Sequence, residues 1–254
     1  MLEVRDVTKR FGGVTAVNHV SFTLRPGEVL GYLGPNGSGK STTVKMITGL
    51  LEPTSGSILF GGQDISDDLM AYKAQVGYVP EEAHIYTYLT APEYLRLVGR
   101  LRGIPEARLE RKIDAFLQLF GLGADTYAPL ASFSKGMRQK VLISAALLHD
   151  PRIIVLDEPT SGLDVANALM LRTVVSTLAA ENRLVFYSSH ELETTEKIST
   201  RVIILRGGVV VADDSAARLR ELMHLASLED VFAELAIRED VDAMANALVE
   251  AMAI

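Results

Sequence analysis

Unbroken apolar runs, alternating runs and three-to-four-residue spacings divide this chain into strands and helices. Glu28–Leu33 (EVLGYL) and Ile153–Leu156 (IIVL) are short continuous apolar runs, the pattern of strands buried on both faces. Leu2–Val7, Ile58–Phe60, Val76–Val79 and Leu184–Ser188 also read as strands. Val20, Phe22 and Leu24 alternate with polar residues, which predicts a half-buried strand. Val202–Leu205 and Val209–Ala212 flank Gly207-Gly208, a hairpin signal. Lys9–Gly13 reads as a turn that exposes Phe11.

Helical spacing dominates from Glu81 to His149. Thr90-Ala91-Pro92-Glu93 is a capping box with proline in the first turn, and its helix runs to about Arg102 before Gly103. A second helix covers Glu106–Phe120, with Leu109, Ile113, Leu117 and Phe120 on one face. Ser134 can cap a third, Met137–Leu148, which Asp150-Pro151 ends. Further helices are predicted over Val165–Ala180 and Glu191–Ile198, and from Ser215 to the end. The expected organisation is one domain over 1–254. Its core is 1–80 with 150–214, an inserted helical lobe fills 81–149, and a helical extension follows at 215–254.

Composition narrows the function classes. The chain has 254 residues, 48% of them hydrophobic, enough for a sizeable core. No apolar run approaches the length of a membrane span, and no signal peptide is expected in MLEVRDVTKR. Cysteine is absent, so disulfide and thiolate chemistry are excluded. A net charge of -7 argues against a nucleic-acid partner. A mean hydropathy of +0.20 points to apolar surface reserved for a partner.

Candidate chemistry starts at Gly34–Ser41, GPNGSGKS, which fits the phosphate-binding pattern G-x-x-x-x-G-K-[ST]. It stands between the strand Glu28–Leu33 and a helix predicted over Ser41–Thr48, ended by Gly49. That context is the one the pattern needs. Gly34, Gly37 and Gly39 let backbone N–H groups turn around a polyphosphate, and the helix N-terminus adds positive potential. Lys40 would reach the β- and γ-phosphates, and the Ser41 hydroxyl would hold Mg²⁺. The expected fold class is therefore α/β: a phosphate-loop NTPase core of mainly parallel sheet, with an N-terminal antiparallel β portion and an inserted helical lobe.

IIVLDE ends an apolar strand in two carboxylates. Read alone, Asp157-Glu158 is either a solvated turn before Pro159 or a catalytic pair. Beside a phosphate loop, Asp157 suits Mg²⁺ and Glu158 suits a general base for a water attacking the γ-phosphate.

In order along the chain, these motifs resemble the nucleotide-binding subunit of an ATP-binding cassette (ABC) transporter, over about Leu2–Ala212. Ser134–Gln139 (SKGMRQ) resembles the family signature, and the resemblance implies that Ser134 and Gly136 meet the γ-phosphate held by the opposite subunit. Phe133, Lys135 and Met137 depart from the common form. Ser161–Asp164 resembles the loop linking the two sites of a dimer, with Asp164 at its end. His190 resembles the switch histidine on the γ-phosphate, and Phe11 the aromatic that stacks on adenine; a phenylalanine in a turn could instead pack on the core. The resemblance also puts Val17, Asn36, Ser38 and Thr42 among the nucleotide contacts. VGYVPEE aligns with the loop in which glutamine usually follows proline. Glu81 stands there instead and becomes a third metal candidate beside Ser41 and Asp157. Glu81, the form SKGMRQK and LEDVFAEL at Leu228–Leu235 together resemble the ABC-2-like export branch.

What the resemblance implies is an ATPase with ATP and Mg²⁺ as cofactors. A second copy of the same or a similar subunit would be a partner, with separate membrane-spanning subunits, at the cytoplasmic face of a membrane. Tyr86, Tyr88 and Leu89 look exposed and would face a membrane subunit. An ABC ATPase of DNA repair or translation would instead show a long coiled coil, a second cassette or a basic face, and none is visible. A nucleotide sensor without turnover would lack Lys40 or Glu158, and both are present.

Overall fold

The computed structural model describes residues 1–82 and 85–236. Its N-terminal half begins with β1 (Leu2–Phe11) and β2 (Val14–Leu24), an antiparallel pair. β1 runs four residues beyond Val7, so Lys9–Phe11 belong to a strand, and the turn is only Gly12-Gly13. Register shifts along β1 explain why sequence alternation stops early: each bulge slips the period of two. β3 (Val29–Leu33) leads into α1 (Lys40–Ile47). β4 (Ser55–Phe60) and β5 (Gln63–Asp64) complete a four-stranded sheet of order β2-β1-β4-β5. A five-residue helix, α2 (Leu69–Lys73), was not legible from spacing; Asp68 caps it through the Ala71 N–H.

After β6 (Val76–Val79) come α3 (Ala91–Leu101), α4 (Glu106–Leu119) and α5 (Lys135–Leu147). The Thr90/Glu93 capping box and the Ser134 cap both form as expected. Then follow β7 (Ile153–Asp157), α6 (Val165–Ala180), β8 (Leu184–Ser188), α7 (Leu192–Ile198), β9 (Arg201–Arg206) and β10 (Val209–Asp214). The second sheet has the order β10-β9-β3-β8-β7-β6, parallel except for the β9–β10 hairpin. β3 is therefore central, and the loop after it opens at the carboxyl edge where β7 also ends.

Apolar alternation along the parallel strands serves two cores. Ile153, Val155, Leu184 and Phe186 face the antiparallel sheet and α1; Ile154, Leu156, Val185 and Tyr187 face α3, α5 and α6. Phe22, Tyr32 and Phe186 meet in the first core at centroid distances of 5.0–6.0 Å. The second core runs unbroken from the sheet into the helical lobe, through Leu95, Leu109, Ile113 and Leu117. Arg96 adds a bidentate bond to Glu110, at 2.6 and 2.8 Å, between α3 and α4.

The continuous helix expected from Ser215 is interrupted. α8 (Ala216–Met223) stops at His224, whose φ of 57° is left-handed, and α9 (Leu228–Ala236) starts afresh. Ser227 and Asp230 cap α9 reciprocally: each backbone N–H is bonded by the other's side chain, at 3.1 Å. Its expected continuation past residue 236 lies outside the described residues.

Candidate functional site

Lys40 occupies the first position of α1, and its ammonium donates to the carbonyls of Gly34 at 2.6 Å and Pro35 at 3.2 Å. The loop thus folds over its own lysine. Burial lowers the Lys40 pKa from its ordinary value, while Glu158, Asp157 and Glu81 work against that. Gly39 has φ 105°, and a Cβ there would stand 2.4 Å from the Ala16 carbonyl oxygen, so no other residue fits. The Gly208 N–H donates to the Ser38 carbonyl at 3.0 Å and ties the loop to the β9–β10 turn. No side chain caps α1. Its first-turn N–H groups therefore stay available to an anion.

Across the cleft, β7 pairs with β8 so that Asp157 lies opposite Ser188. Burial pushes the Asp157 carboxyl from 3.8 up to about 6; the Ser188 hydroxyl opposes this, and Glu81 and Glu158 add to it. Glu158 is buried at a φ of 49°, a left-handed conformation that costs a glutamate roughly 1–3 kcal/mol. Its carboxylate accepts from Ser189 Oγ at 3.1 Å and lies 2.8 Å from His190 Nδ1. Ser189 was missed by sequence reasoning; a serine beside a serine carries no pattern of its own. The His190 side chain is 70% exposed, so one edge holds Glu158 while the rest faces the cleft.

This acid cluster makes a stability prediction. Between 3.8 and about 6 the folded chain holds a proton on Asp157 that the unfolded chain has lost. Stability is therefore lost as the pH rises through that window and stays reduced above it. Asp157→Asn should stabilise the nucleotide-free protein at pH 7–8 by about 1–3 kcal/mol, narrowing to nothing below pH 4. Urea unfolding at the two pH values checks this; a variant less stable than wild type at pH 8 would contradict it.

Lys40, Ser41, Glu81, Asp157, Glu158 and His190 line one cleft of about 680 Å³, with Phe11, Gly34, Asn36, Gly37, Gly39 and Thr42. Phe11 is half exposed, with Lys9 Nζ 5.3 Å from its ring centroid. Two expected contacts differ. Val17 is wholly buried in the core under the loop, and its neighbour Ala16 lines the cleft instead. The Ser38 side chain is also buried, and its hydroxyl has no hydrogen-bond partner. Phe232 of α9 lines the cleft and was not foreseen there.

The donor set suits Mg²⁺ chemically, being hydroxyl and carboxylate oxygen. Among the described residues no three acids or histidines form a metal cage by themselves. A Mg²⁺ held there would need phosphate oxygens and water to complete its shell.

Ser134, Gly136 and Asp164 are not among the described residues lining the cleft. They form a second cluster at the N-termini of α5 and α6. A Cβ on Gly136 would lie 2.6 Å from the Gly162 carbonyl oxygen, so glycine is needed for that close approach. Lys135 Nζ donates to Ser161 Oγ at 2.7 Å, and buried Gln139 donates to the Pro159 carbonyl at 3.1 Å. The start of α5 thus grips the segment that follows Glu158. Tyr86 and Tyr88 are exposed, with centroids 5.9 Å apart, whereas Leu89 is half-buried: its carbonyl accepts the Leu130 N–H at 2.8 Å.

A phosphate loop facing a buried pair of carboxylates on a parallel sheet defines a nucleoside-triphosphate-hydrolysing cassette. The family described as ABC transporter matches residues 17–161, and the chain belongs to that family, as an ATP-binding subunit with ATPase activity. It is similar to the ABC transporter ATP-binding protein NatA of Bacillus subtilis, 35% identical over 94% of this chain and 99% of that protein. It is also similar to the bacitracin transport ATP-binding protein BcrA of Bacillus licheniformis, 34% identical over 84% of this chain and 69% of BcrA. A solved ATP-binding subunit of an ABC transporter superposes with a TM-score of 0.86 at 35% identity, covering 92% of this chain and 99% of that one. The dimeric post-hydrolysis cassette MJ0796 bound to ADP and Pi shares the fold, with a TM-score of 0.78 at 24% identity over 85% and 98% of the two chains.

Proposed function

We propose that this subunit powers an exporter by closing with a second copy around two ATP molecules. The observation that carries the reading is the separation of Ser134 and Gly136 from the cleft formed by their own chain. Two hydrogen-bonding groups at a helix N-terminus suit a γ-phosphate, yet their own chain's cleft does not use them. A second copy turned to face the first would bring them to it.

Within each site Lys40 and the uncapped N-terminus of α1 bind the phosphates. Glu158 takes the proton of the attacking water, and its short contacts to Ser189 and His190 hold the carboxylate in place. His190 donates to the γ-phosphate from its exposed edge. Ser41, Asp157 and Glu81 would hold Mg²⁺ beside the phosphates, where such an ion would supply positive charge against the negative charge of the reaction. Phe11 stacks on the base. Asp164, capping α6 through the Asn167 N–H at 2.9 Å, keeps the connecting loop rigid between the sites. Separate membrane-spanning subunits dock near exposed Tyr86 and Tyr88 at the cytoplasmic face, and closure moves them. Export as the direction is supported by Glu81, by the signature form SKGMRQK, and by the relative named for bacitracin transport.

Sedimentation tests this directly. Glu158→Gln with Mg-ATP should run as a dimer and without nucleotide as a lighter species. Adding Glu81→Gln should raise the Mg²⁺ concentration needed for the dimer. A fully active wild-type protein that stays monomeric at saturating Mg-ATP would overturn the reading.

A further inference from the structure

The short C-terminal helix α9 reaches the nucleotide cleft. Leu228 and Val231 are buried on a core shared with Leu33, the residue before the phosphate loop. Glu229, Asp230, Ala233 and Glu234 are exposed. These two faces fix the rotation of the helix, and the reciprocal Ser227/Asp230 cap fixes where it begins. Phe232 lies at the border between the faces, packs partly on that core and contributes to the cleft wall. The hairpin beneath α9 is itself tied to the loop through Gly208 and Ser38.

The chemistry of the wall decides which part of a nucleotide Phe232 meets. Lys40, Ser41, Asp157, Glu158 and His190 supply the polar half, where phosphates and metal belong. A phenyl ring offers no hydrogen bond and gains nothing beside a phosphate. It matches the planar face of a base or the C–H face of a ribose. We infer that Phe232 is a second aromatic contact for the base and ribose of ATP, supplied by α9 and additional to Phe11. This rests on the cleft being an ATP site, as proposed above.

One consequence follows for α9 itself. A ligand that touches Phe232 adds a contact absent from the nucleotide-free protein. Binding then holds α9 against the sheet, and the C-terminal segment senses whether the cleft is filled.

The test compares ATP with inorganic tripolyphosphate, which keeps the phosphates and lacks base and ribose. Phe232→Leu preserves apolar packing and removes the ring. The full-length variant should bind ATP about 3- to 10-fold more weakly, the size of one aromatic contact. Its affinity for tripolyphosphate should be unchanged. In the wild type, ATP should slow hydrogen exchange at the amides of α9, and tripolyphosphate should not. Equal weakening for both ligands would assign Phe232 to the fold alone and overturn the inference, as would unchanged ATP affinity. If the wild type does not prefer ATP to tripolyphosphate, the ATP-site reading fails instead, and a loss confined to Phe11→Ala would leave that reading standing without Phe232.

Discussion

Glu158→Gln should lower ATP turnover by roughly 10²–10⁴-fold, the usual effect of losing a general base, while ATP still binds. The glutamine keeps the shape of the side chain and an oxygen that can accept from Ser189 Oγ, now at 3.1 Å from the carboxylate. What it loses is the capacity to take a proton. It also removes one negative charge from a cluster in which Asp157, Glu158 and Glu81 already crowd one another. The phosphates of ATP meet less repulsion, so affinity should hold or improve. Single-turnover kinetics beside equilibrium nucleotide binding separates the two effects. Turnover equal to wild type would show that Glu158 is not the base. Loss of binding together with turnover would mean that its role is to shape the turn at φ 49°.

Lys40→Ala acts on the other side of the reaction. In the nucleotide-free protein the ammonium bonds the carbonyls of Gly34 and Pro35. With ATP bound, the same donors can turn to phosphate oxygens, a stronger charge-assisted contact. Hydrogen bonds to charged groups contribute about 1.5–3 kcal/mol each, so ATP affinity should fall by about 10- to 100-fold or more. Burial already disfavours the charged lysine, so its removal should cost the nucleotide-free fold little. The check is a thermal melt with and without ATP. Wild type should gain stability on adding ATP, and Lys40→Ala should gain almost none at the same concentration. A variant that melts far below wild type without nucleotide would show that the lysine is needed to form the loop. One still stabilised fully by ATP would remove it from the phosphate site.

How far these groups could be read from the chain depends on how local their cause is. GPNGSGKS shows itself because a loop that wraps a phosphate needs glycines at set places, a strand before it and a helix after it. Gly39, at φ 105° against the Ala16 carbonyl, is one place where only glycine fits. IIVLDE shows itself through a buried run that ends in charge. The Thr90 capping box and the amphipathic face of α4 are equally local. Ser189 is different: it matters because β8 pairs with β7 and delivers it to Glu158, from 31 positions away in sequence. Phe232 is a further case, since LEDVFAEL reads as an amphipathic helix wherever it packs. Val17 shows the converse. Alternation bulged along β1, and its hairpin partner was turned inward while Ala16 met the cleft.

By itself, then, the amino-acid sequence determined the strands of the central sheet, most of the helices, the phosphate loop and the acid pair. Each rests on periodicity, capping or a contiguous motif, which are forces between near neighbours. Tertiary structure alone decided the left-handed turn at Glu158, the Ser189–Glu158–His190 contacts and the rise of the Asp157 carboxyl to about 6. It also decided the break at His224, the rotation of α9 toward the cleft, and the placing of Ser134 and Gly136 beyond it. Those depend on burial and on strand order, which bring distant residues into one low-dielectric space and have no signature along the chain.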